Sequence, residues 1–221
     1  PFIYGQYNFP LKVALQNNIK LVFYGENGEV EYGGHDSTED MTGFGNDQSV
    51  DLWQSGMPVE DWQKYGFTDS ELFVYQPPKQ KVNVRRLFFS YYHNWMPQDH
   101  YYYVSQRAGF ISNPDRSECT FSRYASLDDS IDPFHYYFAL LKFGIGRATS
   151  DAAHEVREGI LDRHEAIQLV SKFDIQSPSK ETTDIFLKYC SMDKNLLQKI
   201  VRKWTNERIW QGRDDFPNIK I

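Results

Sequence analysis

Residues 20–24, Lys-Leu-Val-Phe-Tyr, form a short apolar run that stops abruptly at Gly25-Glu26-Asn27-Gly28. Just upstream, Asn8-Phe9-Pro10 offers a capping Asn and a Pro suited to a first helical turn. Leu11, Ala14 and Leu15 follow at helical spacing, and Asn17-Asn18 ends the pattern. Ahead of that, Phe2-Ile3-Tyr4 reads as a strand already under way. Strand, helix, strand and a Gly/Asn loop predict a parallel α/β sheet, with ligands bound at the carboxyl ends of its strands. No apolar run approaches the ~20 residues needed to cross a bilayer, so no membrane insertion is expected.

Beyond residue 32 the chain becomes irregular, with Gly33-Gly34, Gly43, Gly45, Gly56 and Pro77-Pro78, but Trp53 and Trp62 supply anchors. An ordered excursion inserted at about 33–80 is expected rather than a linker. Residues 84–92 (VRRLFFSYY) predict another buried strand, and residues 97–108 and 133–143 predict helices. Later, Ser150-Asp151 reads as a cap ahead of Ala152, Ala153, Val156 and Ile160. Asp162 and Glu165 have capping-box spacing, and Asp193 precedes the stripe Leu196, Leu197, Ile200, Val201 and Trp204. The expected organisation is an α/β domain over residues 1–145 and a helical region over 146–221.

The formal charge of -6 is unevenly placed: residues 25–75 hold twelve acids and one base, Lys64, while residues 151–221 hold twelve of each. An acidic stretch of that kind repels nucleic acid, which is therefore not the expected partner. Two cysteines, Cys119 and Cys190, make no disulfide framework, and no secretory leader is evident. A reducing, cytoplasmic location is expected.

Four constellations could carry chemistry. Gly25-Glu26-Asn27 at a strand end allows close backbone approach, a carboxylate for a hydroxyl or magnesium ion, and a turn; an ordinary loop is the alternative. Residues 32–37 (YGGHDS) look like the S-G-G-x-D-S loop of ATP pyrophosphatases, yet lack a buried strand before and a helix after. Residues 143–151 (FGIGRATSD) join two helices; two glycines and Arg147 suit an anion, or else Arg147 pairs with a nearby acid. Residues 118–124 (ECTFSRY), with Asp128-Asp129, form a polar loop rich in the groups a sugar would need, or a simple helix approach.

Four longer words raise the specificity: GQYNFPLKVA (5–14), FYGENG (23–28), SLDDSIDPFHYY (126–137) and KFGIGRATSDA (142–152). In this order they resemble the N-acetyl sugar amidotransferases of bacterial surface-polysaccharide and flagellar-glycan biosynthesis. The resemblance runs from about the first residue to Trp210. It implies an ATP-pyrophosphatase fold of the adenine-nucleotide α-hydrolase type, with ATP and Mg2+. The implied reaction converts the acetamido group of a nucleotide-linked N-acetyl sugar to acetamidino, with ammonia from a partner glutaminase. Such chemistry needs the amide oxygen activated before a nitrogen nucleophile attacks.

The family's cysteine-bearing N-terminal stretch and true S-G-G-x-D-S loop precede the part that aligns. The expectation is a C-terminal piece with a partial sheet, an acidic excursion and a C-terminal helical bundle, inactive alone. On the matching words, Glu26, Asn27 and Arg147 are the candidate catalytic positions, and Gln6, Asn8 and Gly25 would border the nucleotide. Glu118, Thr120, Ser122, Thr149 and Asp151 would face the sugar nucleotide, and no metal ligand is assigned. A tRNA-thiolating ATP pyrophosphatase and a non-catalytic interaction module are the competing readings. The first would want a basic face, which residues 25–75 lack.

Overall fold

Tyr4, Leu11 and Ala14 recur at helical intervals, and all three are buried. They lie on helix α1 (Phe2–Gln16), so the strand expected at residues 2–4 is helical instead. Periodicity over three turns outweighs the β-prone composition of the first three residues. The helix start expected at Asn8-Pro10 lies inside α1; Pro10 removes one intrahelical hydrogen bond. The Asn8 amide, rather than capping, donates to the Tyr75 carbonyl at 2.6 Å.

The computed structural model describes residues 2–25, 57–79 and 83–211. Their contacts divide the chain into two compact units, Pro1–Trp95 and Met96–Ile221. In the first, α1 is followed by β1 (Leu21–Tyr24), a 3-10 turn (Val59–Tyr65), α2 (Asp69–Leu72) and β2 (Arg85–Phe88). β1 and β2 pair in parallel, Leu21 opposite Arg85 and Tyr24 opposite Phe88. The parallel sheet predicted from the apolar runs is thus present, as two strands among the described residues. Residues 89–91 leave the expected longer strand as a 3-10 turn. Tyr4, Val59 and Leu72 form the buried centre of this unit, with Trp62 and Tyr75 packed against it. The Tyr4 and Trp62 rings meet edge to face at 5.4 Å.

The second unit contains α3 (Pro97–Arg107), α4 (Asp132–Phe143), α5 (Arg147–Arg157), α6 (Arg163–Phe173), α7 (Lys180–Tyr189), α8 (Lys194–Trp204) and α9 (Glu207–Trp210). Residue 145, where a domain boundary was expected, lies in the turn between α4 and α5. Pro97 occupies the first turn of α3, where its missing N–H costs nothing. α4 ends on Gly144 at φ 72, the left-handed conformation that glycine adopts freely. Asp162 and Glu165 form the expected capping box of α6, and Asp193 caps α8. Phe134, Tyr137 and Leu141 of α4 pack on Leu187 of α7 and on Leu197 and Val201 of α8. Phe134 stacks on Phe186 with ring centres 4.0 Å apart. Each large side chain buried in this core contributes about 1.5–3 kcal/mol. The helical bundle expected from the C-terminal stripes is therefore observed.

Candidate functional site

In the first unit, the carboxyl end of β1 is walled by aromatic rings. Tyr24 lies 5.3 Å from Tyr7 and 5.9 Å from Phe88, and its hydroxyl donates to the Tyr7 carbonyl at 3.1 Å. Burial pushes the Tyr24 phenol up to about 12, so it stays protonated at neutral pH. Gly25 follows directly, with no atom within 4 Å of where a Cβ would stand. Gln6 and Asn8 belong to α1 rather than to a strand end. Glu26, Asn27 and residues 33–37 lie outside the described residues.

In the second unit, residues 117–126 form a loop held at several points. Ser117 donates from its amide to Ser122 O at 2.9 Å and from its hydroxyl to Ala125 O at 2.6 Å. Glu118 reaches the start of α7, accepting from the Ser179 amide at 3.0 Å and the Thr182 hydroxyl at 2.8 Å. Cys119 takes φ 60 and donates from Sγ to Gln176 O at 3.2 Å. Burial, then the charges of Glu118 and Asp174, push its thiol up to about 12, which leaves a poor nucleophile. Thr120 donates to Asp151 Oδ2 at 2.5 Å and so joins the loop to α5. The Ser122 hydroxyl is buried and has no hydrogen-bond partner among the described residues.

Arg147 sits one turn before Asp151, and its Nε donates to Asp151 Oδ1 at 3.0 Å. A second guanidinium nitrogen lies 3.7 Å from Asp132 Oδ2, and the guanidinium carbon is 4.6 Å from the centre of the Tyr136 ring. Burial pulls the Arg147 pKa down, but Asp151, Tyr136 and Asp132 more than reverse it. Asp132 also accepts from the Ser126 hydroxyl. Beside them, Tyr124 donates to Gln98 at 3.1 Å and stacks on Tyr101 at 4.9 Å. Burial raises the Tyr124 phenol above its ordinary value, and Asp151 and Glu155 add to the rise. Glu155 is itself raised, first by burial and then by the Asp151 charge.

Sequence reasoning missed the group at the head of α5. Ser150-Asp151 is not its cap; α5 begins at Arg147, with Gly146 in the N-cap position and no side-chain cap of its own. Asp174, just past α6, supplies the acceptor from outside. Its carboxylate accepts from the amides of Gly146 and Thr149 at 3.2 Å and from the Thr149 hydroxyl. A helix N-terminus favours an anion, and this one holds the protein's own. Asp174 is 5% exposed, and burial raises its carboxyl while the hydrogen bonds to Thr149, Ala148 and Gly146 pull it back. The only local signal was Gly146: a Cβ there would stand 2.6 Å from Asp174 Oδ1.

The structure therefore brings Thr120, Arg147 and Asp151 together on one side of α5, while Thr149 turns to Asp174 at the head of the helix. It turns Glu118 toward α7, and adds Asp132, Tyr136 and Asp174. Apart from the Ser122 hydroxyl, each of these side chains already has a partner within the unit. Thr120 and Ser122 are buried, so the partly exposed Arg147 guanidinium is the group of this cluster with an edge toward solvent, where a sugar or phosphate oxygen would meet it. The helix N-terminus at Gly146 is filled by Asp174 and so is closed to a phosphate, and among the described residues no three His, Cys, Asp or Glu residues are grouped to hold a metal ion. Among the described residues, no helix is long and apolar enough to cross a membrane.

Comparison with known families finds a match over residues 118–220 to the family described as LPS biosynthesis protein WbpG-like, C-terminal domain. The match spans somewhat under half of the 221 residues and takes in the 118–126 loop, α4, α5 and the helices that follow. It supports a role in polysaccharide biosynthesis for this region. No curated protein matches the chain.

Proposed function

We propose that the chain is part of an ATP-dependent amidotransferase that replaces the acetamido oxygen of a nucleotide-linked N-acetyl sugar with nitrogen. What supports the reading is the similarity of residues 118–220 to an LPS-biosynthesis domain, together with the cluster around Arg147. ATP with Mg2+ supplies the activation of the amide oxygen, and a partner glutaminase supplies ammonia. Glu26, Asn27, Gln6, Asn8 and Gly25 border the nucleotide in this proposal. The described residues contribute positioning. Arg147, locked between Asp151 and Asp132 and laid on Tyr136, offers a charged edge of fixed direction to a phosphate or sugar oxygen. Thr120, Ser122 and Thr149, with Glu118 and Asp151 as anchors, hold the loop and helix that carry that edge beside the sugar nucleotide.

The test supplies the natural full-length polypeptide with candidate sugar nucleotides, ATP, Mg2+ and ammonium. The expected product is lighter than the substrate by the difference between O and NH, and forms only with ATP. Arg147→Ala is expected to raise KM for the sugar nucleotide far more than it changes kcat. Unchanged kinetics in a folded Arg147→Ala protein would refute the positioning role.

A second reading draws on the internal pairing of Glu118, Thr149 and Arg147. On that reading the second unit is a rigid interaction module in the same pathway. Retained amidination after removal of that unit would favour it.

A further inference from the structure

The end of α4 and the end of α8 meet at a corner fixed by three hydrogen bonds. Leu141 O accepts from the Asn206 amide at 2.9 Å and from Trp210 Nε1 at 3.1 Å, and Lys142 O accepts from the Asn206 side chain at 3.1 Å. Large apolar groups stand outward here: Phe143 is 63% exposed, Ile145 52% and Trp204 47%. Phe143 and Ile145 flank Gly144 at the tip of the turn, so they project rather than line a groove.

Two ammonium groups stand beside this tip. Lys142 Nζ lies 4.9 Å from the centre of the Trp204 ring and 5.0 Å from that of Phe143, and Lys203 Nζ lies 5.4 Å from Trp204. Leu197 and Val201 turn α8 inward; Lys199 and Arg202 lie on the side away from Trp204, so Lys203 is the cation of α8 that stands beside the tip. α8 contains no acidic residue, in a chain whose formal charge is -6. Among the described residues none of these cations is in a salt bridge. Among the described residues, the acids that flank α8 in the chain are Asp193, whose carboxylate is engaged with the Leu196 amide at 2.7 Å, and Glu207 at the start of α9.

We infer that this corner docks on an anionic lipid bilayer, with Phe143, Ile145 and Trp204 in the headgroup region and the Lys142 and Lys203 ammonium groups on lipid phosphates. The domain then lies on the membrane without crossing it. Trp and Phe gain by leaving water at such a boundary, and Lys stems lie along apolar surface while their heads stay with phosphate. A projecting apolar tip among cations suits a fluid anionic surface, whereas a protein partner would have to provide both a matching socket and acids around it. The inference goes beyond the amidotransferase proposal and does not depend on it.

The test is co-sedimentation of the full 221-residue chain with vesicles of phosphatidylcholine alone, or with one third phosphatidylglycerol. Binding is expected only to the anionic vesicles and is expected to fall as salt rises. Each juxtamembrane cation is worth about fivefold in affinity, so Lys142→Ala with Lys203→Ala should weaken binding by about 25-fold. Phe143→Ser with Trp204→Ala should weaken it by about tenfold or more, with the helical signal retained because neither side chain belongs to the buried core. No binding to anionic vesicles, or equal binding to neutral ones, overturns the inference. So does a result in which the lysine changes abolish binding while the Phe143 and Trp204 changes do nothing. That would mark a general polyanion site, such as one for an acidic protein.

Discussion

Replacing Asp174 with Ala removes the side-chain acceptor that caps the head of α5 among the described residues. The Gly146 and Thr149 amides and the Thr149 hydroxyl then lose their shared partner in a place where Asp174 itself is 5% exposed. Loss of an N-cap acceptor costs about 0.5–2 kcal/mol, and a buried donor left unmade adds about 1–3 kcal/mol. Relief from burying a carboxylate, and water entering the vacated space, offset part of this, so a net loss of about 3 kcal/mol is expected. With an m-value of about 2 kcal/mol/M, the urea midpoint of the helical signal should fall by about 1.5 M with m unchanged. Asp174→Asn, tested across pH, adds a second readout. Burial raises the folded-state pKa of this carboxyl above the ordinary 3.8, so the proton is held more tightly folded than unfolded. Its contribution is therefore fully present below about pH 4 and is lost as pH rises through the folded value. The stability gap between the natural chain and Asp174→Asn should narrow over that rise. A midpoint shift under about 0.3 M for Asp174→Ala, or a gap that widens with pH, would refute the external-cap argument.

Other expectations follow from the same contacts. Leu197→Ala in the α4–α7–α8 core should cost about 2–5 kcal/mol by chemical denaturation, since the side chain is fully buried. Asp162→Ala should cost about 1 kcal/mol, because the Asp162 carboxylate caps the amides of His164 and Glu165. Alkylation of the native chain followed by mass spectrometry should label the exposed Cys190 and spare Cys119, whose buried thiol stays protonated; labelling of Cys119 at a comparable rate would contradict its placement. Glu118→Ala should increase protease cutting within residues 117–126, since the ties to Ser179 and Thr182 disappear.

Legibility from the sequence followed the range of each interaction. The capping box at Asp162, the cap at Asp193, Pro97 and Gly144 all act within one or two turns, and each was readable. The apolar runs at residues 20–24 and 84–92 likewise read as strands and pair in parallel, although the parallel sheet was expected from a first strand at residues 2–4, which is helical. Asn8-Phe9-Pro10 misled, because the burial of Tyr4, Leu11 and Ala14 continues a helix through the proline. Asp174 was invisible as a cap, since its partners at Gly146 and Thr149 lie more than one helix away in the chain. The candidate cluster was partly legible: the words around 118–124 and 142–152 converge on α5, but no pattern signalled that Thr120 would meet Asp151 or that Arg147 would lie on Tyr136.

The close approach of Asp174 to Gly146 ties the fates of two distant positions. While the acid stands at 174, position 146 has no room for a β-carbon, so Gly146→Ala should be selected against. Once residue 174 is shortened, that prohibition lifts, and a side chain at 146 able to cap its own helix becomes an improvement. Variant libraries scored one site at a time would call both positions intolerant; scored in pairs, they should reveal a second, self-capped solution for the same helix.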